Sequence, residues 1–148
     1  MFKHLKIRLA LSSIALITLP TFADMNTMGT DYRQMISNYF MLAEIKSRCP
    51  NISQPEIVTR SQVDRLLQQK MGMENFFSIR EALDKSPLHK NSVNTVAKLF
   101  EKIEGCDDPR LNASTNKITE VHQAAFKRFE KEPGMIQPTP IPLRKNNQ

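Results

Sequence analysis

Histidine, cysteine and glycine are scarce in this chain, with three, two and four copies among its 148 residues. The histidines and cysteines form no HExxH pair, no CxxC motif and no cluster at ligand spacing. Neither a structural zinc site nor a haem site is therefore expected, and no cofactor is expected at all. No pair of carboxylates stands out for general acid and base work, and the chain does not read as an enzyme. Scarce glycine, together with apolar residues recurring at helical rather than alternating spacing, predicts an all-α fold.

Concentrated positive charge is also missing. The formal charge is +6, but three of the 21 basic residues and none of the 15 acids precede residue 24, so the charge falls to +3 without that segment. Arg33, Lys46, Arg48, Arg60, Arg65 and Lys70 are scattered and have acids nearby. Binding to nucleic acid calls for a basic stripe that neutralises several phosphates, so no nucleic-acid partner is expected.

The opening, MFKHLKIRLALSSIALITLPTFADM, places Lys3, Lys6 and Arg8 ahead of an apolar run from Leu9 to Leu19, then Pro20 and the ending Thr21-Phe22-Ala23. This is the pattern of a secretory signal peptide over residues 1–23, with cleavage after Ala23. The run is shorter than the roughly 20 residues needed to cross a bilayer and no second one follows, so no stable membrane insertion is expected after cleavage. No cysteine stands at the junction to carry a lipid anchor. The compartment expected is the periplasm or the exterior. Residues 24–132 then form one helical domain, and residues 133–148, with Pro133, Pro138, Pro140 and Pro142, read as a disordered Pro-rich tail.

Export bears on Cys49 and Cys106. Outside the cytosol an even number of thiols favours pairing. Cys49 would follow a helix C-terminus, whose partial negative charge opposes a thiolate, although Lys46 and Arg48 act the other way. One intramolecular disulfide, Cys49 to Cys106, is expected in preference to a nucleophile or a metal ligand.

About five helices are predicted. Tyr32, Met35, Ile36, Tyr39, Leu42 and Ala43 form a stripe over residues 30–48, ended by Pro50. Ser53 and Glu56 match a capping box, so a second helix is expected from Ser53 to about Lys70, with Ile57, Val58, Val63, Leu66 and Leu67 inward. Gly72 suits a left-handed position after it. A third helix runs from Glu74 to Lys85 before Ser86-Pro87, and a fourth from Asn91 or Ser92 until Gly105. A polar loop with Asn112, Ser114 and Thr115 leads into a fifth, carrying Ile118, Val121, Ala125 and Phe129. Asn51-Ile52-Ser53 and Asn112-Ala113-Ser114 match the glycosylation pattern, but both serines are read as helix caps and the leader as bacterial.

Four features are set against plainer readings. Glu101, Glu104, Asp107 and Asp108 crowd the end of the fourth helix and match no calcium loop, so a solvated turn is expected. His122 is read as a partly buried, hydrogen-bonded histidine. Met71, Met73, Phe76 and Phe77 around Gly72 are a core cluster first and a weak candidate for partner contact second. The Pro-rich tail is read as a simple end before a groove-binding peptide. The functional expectation is a small exported binding protein acting on another envelope or secreted protein. Small inhibitors and toxin-immunity proteins share this size, compartment and class; the alternative is an accessory or assembly factor of an envelope secretion or pilus system.

Overall fold

The computed structural model describes residues 22–135, with side chains from Thr27 onward. The segment 1–21 and the tail from residue 136 lie outside the described residues. Five helices and no strand are present among the described residues: α1 (Phe22–Arg48), α2 (Arg60–Met71), α3 (Met73–Asp84), α4 (Leu88–Phe100) and α5 (Pro109–Lys131). The expected all-α bundle with one disulfide is what the chain forms.

The two longest helices set the frame. Asp31, near the start of α1, accepts from Arg128, near the end of α5, with Nη2 at 2.6 Å and Nε at 3.1 Å from Oδ1. Cys49, directly after α1, is bonded to Cys106, three residues ahead of α5, with the two Cα atoms 5.6 Å apart. The pair is therefore antiparallel, and it forms the most extensive helix interface. α4 lies along α1, where the hydroxyls of Ser37 and Ser92 are 2.9 Å apart. α2 and α3 form a second helical pair, and only α2 of the two has a substantial interface with α1.

Burial divides into two apolar clusters. One gathers Met28, Tyr32, Met35, Ile36, Leu67 and Phe129 with residues of α2 and α3; the other gathers Ile45, Cys49, Ile52, Val96 and Leu111 at the disulfide end. Along α1 and α5, buried polar residues occupy positions between the two: Asn38, Thr115, Thr119 and His122.

Four boundaries differ from the sequence reading. α1 starts at Phe22, about two turns ahead of Thr30, and so runs through the expected cleavage junction. α2 starts at Arg60, not Ser53. Its capping box is Thr59 with Gln62, whose backbone N donates to Thr59 Oγ1 at 3.3 Å while Thr59 N donates to Gln62 Oε1 at 2.9 Å. Residues 51–59 instead form an extended strap whose polar groups are used in tertiary contacts. Lys46 Nζ donates to the Ile52 carbonyl and Gln54 Nε2 to the Leu42 carbonyl, both at 2.9 Å. α4 begins at Leu88, one turn early, and ends at Phe100, leaving residues 101–107 as turns in which Gly105 has φ 139°. α5 begins at Pro109, so Asn112, Ser114 and Thr115 lie inside a helix rather than in a loop. Asp108 is the cap and Pro109 the first helical residue, a position where a missing N–H costs nothing. Neither Ser53 nor Ser114 caps a helix.

Two outcomes follow from this arrangement. A crosslink across a sequence separation of 57 constrains the unfolded chain by about 4 kcal/mol, so Cys49→Ala with Cys106→Ala should lower unfolding stability by that order, read as the shift in urea midpoint. Thr59→Ala should cost about 1 kcal/mol while Ser53→Ala changes little. Equal losses for the two would contradict the position of the strap.

Candidate functional site

The cluster flagged around Gly72 is divided by the fold. Gly72 links α2 directly to α3 with φ 83°, a value a side chain would strain. The helical phase restarts at this point. Met71 and Phe76 turn into the first apolar cluster, whereas Met73 is 50% and Phe77 57% exposed. Met73 and Phe77 are four residues apart, so they share one face of α3. They are the exposed large hydrophobic side chains among the described residues. Phe77 also lines an open groove of about 470 Å³ with Arg80, Glu81, Asp84 and Lys85.

The position of α3 depends on one carboxylate. Tyr32 of α1 donates its hydroxyl to Asp64 Oδ1 of α2 at 2.7 Å, and Arg80 of α3 donates Nη1 to Asp64 Oδ2 at 3.1 Å. Arg60 approaches the same oxygen at 3.9 Å, reaches Asp84 at 3.7 Å, and lies over the Phe40 ring at 5.6 Å. Burial, then the bond to Asp64, raises the Tyr32 phenol far above its ordinary range. Tyr32 is thus a fixed donor, both Asp64 oxygens are engaged, and the three residues fasten three helices together. No local signal announces this group, because its members are far apart in sequence.

Of the acidic loop, Glu101, Glu104 and Asp107 are exposed, as a solvated turn requires, and Asp108 is engaged internally. Asp108 Oδ1 accepts from the Arg110 backbone N at 2.8 Å and Oδ2 from the Glu104 backbone N at 3.0 Å, while Arg110 Nη2 sits 2.6 Å from Oδ2. The Arg110 side chain first, then these backbone donors, hold the Asp108 carboxyl well below the usual carboxylate range. The sequence pattern puts this charge at the end of the fourth helix. The structure places Asp108 at the N-terminus of α5, where negative charge is favourable. Among the described residues, no group of three or more His, Cys, Asp or Glu is arranged to hold a metal.

His122 is more deeply placed than its spacing implied. It is 1% exposed, and its Nε2 lies 3.2 Å from the Val58 carbonyl of the strap. Nδ1 makes no well-aligned hydrogen bond, although the Met35 carbonyl contributes to the field at the ring. Burial lowers its basicity below the ordinary imidazole value, and the carbonyls of Val58 and Met35 offset this only in part. The buried face of α5 runs through Leu111, Thr115, Thr119, His122, Ala125 and Phe129, while Val121 is only half-buried. The apolar residues Ile118 and Val121 lie one position ahead of the buried Thr119 and His122, so apolar spacing alone does not mark the full depth of His122.

No helix of the described residues is long and apolar enough to cross a membrane. Comparison with protein-family models, with curated proteins and with solved structures gives no match.

His122 predicts a pH dependence with a definite sign. The unfolded chain takes up the imidazole proton near pH 6.5, before the folded chain does, so stability present above that pH is lost as pH falls through the lower folded value. Asp108, whose folded value is depressed from 3.8, loses its contribution only at more acidic pH. Urea midpoints at pH 8 and pH 5 should therefore differ less for His122→Phe than for the parent chain, even though the variant is weaker at both. An unchanged difference would exclude His122 as the source.

Proposed function

We propose that this is an exported binding protein that acts by contact with another envelope or secreted protein through the Met73 and Phe77 face of α3, in the manner of an inhibitor or a toxin-immunity protein. The observation that carries the reading is the exposure of these two side chains on a helix whose own packing is otherwise complete through Phe76. An exposed aromatic beside a groove with a charged rim is the composition of an interface centre: the apolar group supplies the energy and the rim excludes water. The leader-like opening and the disulfide are compatible with a partner outside the cytosol.

The test is a photo-reactive residue placed at position 77 and, as a control, at Gln123, which is exposed on α5. A single partner crosslinked from position 77 and not from 123 is expected. With that partner purified, Phe77→Ser should weaken binding at least tenfold while leaving stability within about 0.5 kcal/mol, because the ring is largely in solvent. Unchanged affinity in Phe77→Ser would exclude α3 as the contact surface. A set of several proteins from one envelope machine would point to assembly rather than inhibition.

A further inference from the structure

We infer that Cys106 is the point of attack for thiol–disulfide exchange in this protein, and that a dithiol oxidoreductase makes and opens the link to Cys49 through that sulfur, independently of any contact at α3.

The two halves of the disulfide are unequally accessible. Cys49 is 1% exposed and belongs to the smaller apolar cluster, whereas Cys106 is exposed and lines an open cleft of about 350 Å³ with Glu104, Gly105, Asp107, Asp108 and Pro109. In exchange, a thiolate attacks one sulfur in line with the bond that breaks, so it approaches from the side opposite the leaving sulfur. Cys106 can receive such an attack from the cleft. To strike Cys49, the same thiolate would have to enter the packing of Ile45, Ile52, Val96 and Leu111. The chain is exposed at four successive residues from Glu104 to Asp107, all within the turns that precede α5, so an enzyme reaches Cys106 without opening the bundle.

The chemistry of the leaving sulfur selects the class of partner. Attack at Cys106 joins the incoming sulfur to Cys106 Sγ, breaks the bond to Cys49 and releases Cys49 as a thiolate that takes up a proton. Cys49 is a poor leaving group, because it is buried directly after the C-terminus of α1, where the partial negative charge of the helix opposes a thiolate; the exposed Lys46 and Arg48 offset this only in part. It also stays beside its former partner, since the bundle holds the two Cα atoms 5.6 Å apart. Reclosure is therefore intramolecular and outruns attack by a second free thiol from solution. A dithiol escapes this race. Its second thiolate attacks its own sulfur in the mixed disulfide, frees Cys106 as a thiolate that is then protonated, and leaves the enzyme oxidised to a disulfide. Run in reverse, the same steps oxidise the two thiols of the chain and reduce the enzyme disulfide, so the link is made and opened through one sulfur.

The experiment treats the oxidised protein with β-mercaptoethanol, a neutral thiol chosen because Glu104 and Asp107 in the cleft would repel an anionic one, quenches with acid and maps the mixed disulfide by mass spectrometry after digestion. In native buffer the adduct on Cys106 should exceed that on Cys49 by at least roughly tenfold, and in urea, where both sulfurs meet solvent, the two should agree within about twofold. Equal adducts in native buffer, or adducts in urea alone, would overturn Cys106 as the point of attack. The second arm compares reduced thioredoxin with its variant carrying serine in place of the second active-site cysteine. The dithiol form should open the link at least roughly tenfold faster, and the acid-quenched variant should be joined to Cys106. Equally slow opening by the two forms, or a complex through Cys49, would remove the oxidoreductase as the partner even where the small thiol adds to Cys106.

Discussion

The antiparallel contact of α1 with α5 is the constraint on which every other element depends. It is clamped at both ends by different means: the Asp31 and Arg128 ion pair near one terminus and the disulfide at the other. Sliding one helix by a turn would break both clamps. It would also leave Asp31, whose side chain is only 5% exposed, without its partner. Of the polar residues buried between the two apolar clusters, His122 reinforces this arrangement, because a shifted α5 would carry it away from the Val58 carbonyl and leave its buried ring without that partner, a cost of about 1–3 kcal/mol. Thr115 and Asn38 bond within their own helices and do not report on the register. An interface made only of leucine and isoleucine would tolerate such slippage far better.

The remaining helices are fastened to this pair with decreasing strength. α4 lies along α1, and α2 reaches it through Tyr32, Val63 and Leu67. α3 is last in this order. It packs chiefly on α2, its one buried residue is Phe76, with Ile79 and Leu83 partly buried, and its polar anchors are Arg80 on an Asp64 that Tyr32 already holds and Asp84 near Arg60. The exposed apolar pair thus belongs to the helix with the least burial of its own. An element in that position opens at lower free energy than the central pair.

Periodicity made the helical class and the approximate number of helices readable from the sequence, and the pairing of Cys49 with Cys106 followed from their being the two cysteines of a chain with a leader-like opening. The errors fell where two local signals competed and tertiary contacts decided between them. Ser53 with Glu56 and Thr59 with Gln62 are equivalent capping patterns. The second prevailed because Gln54 and Val58, between them, give their polar groups to α1 and α5. Asn112, Ser114 and Thr115 have poor helix propensity. They nevertheless sit in a helix capped by Asp108 and begun by Pro109, with Thr115 Oγ1 turned back to the Leu111 carbonyl at 2.9 Å. The candidate surface was legible only as a cluster. Which of its four members would face outward depended on the phase reset at Gly72, a backbone property that no side-chain pattern carries.

The location of the disulfide follows from the unequal size of the two apolar clusters. Among the described residues, the cluster at the α3 end has eleven buried members and the one at the disulfide end has five, of which Cys49 is one. Burial of a large apolar side chain contributes roughly 1.5–3 kcal/mol before the entropy of ordering is deducted, so five side chains leave little net stability for the turns and strap gathered there. A covalent link is the remedy that small cores commonly use. Placed at the end with the larger cluster it would secure contacts that hold without it. Here it ties residues 101–107, which have no helix of their own, to the end of α1, so that the thin end of the bundle keeps the alignment the thick end acquires by packing and the Asp31–Arg128 ion pair.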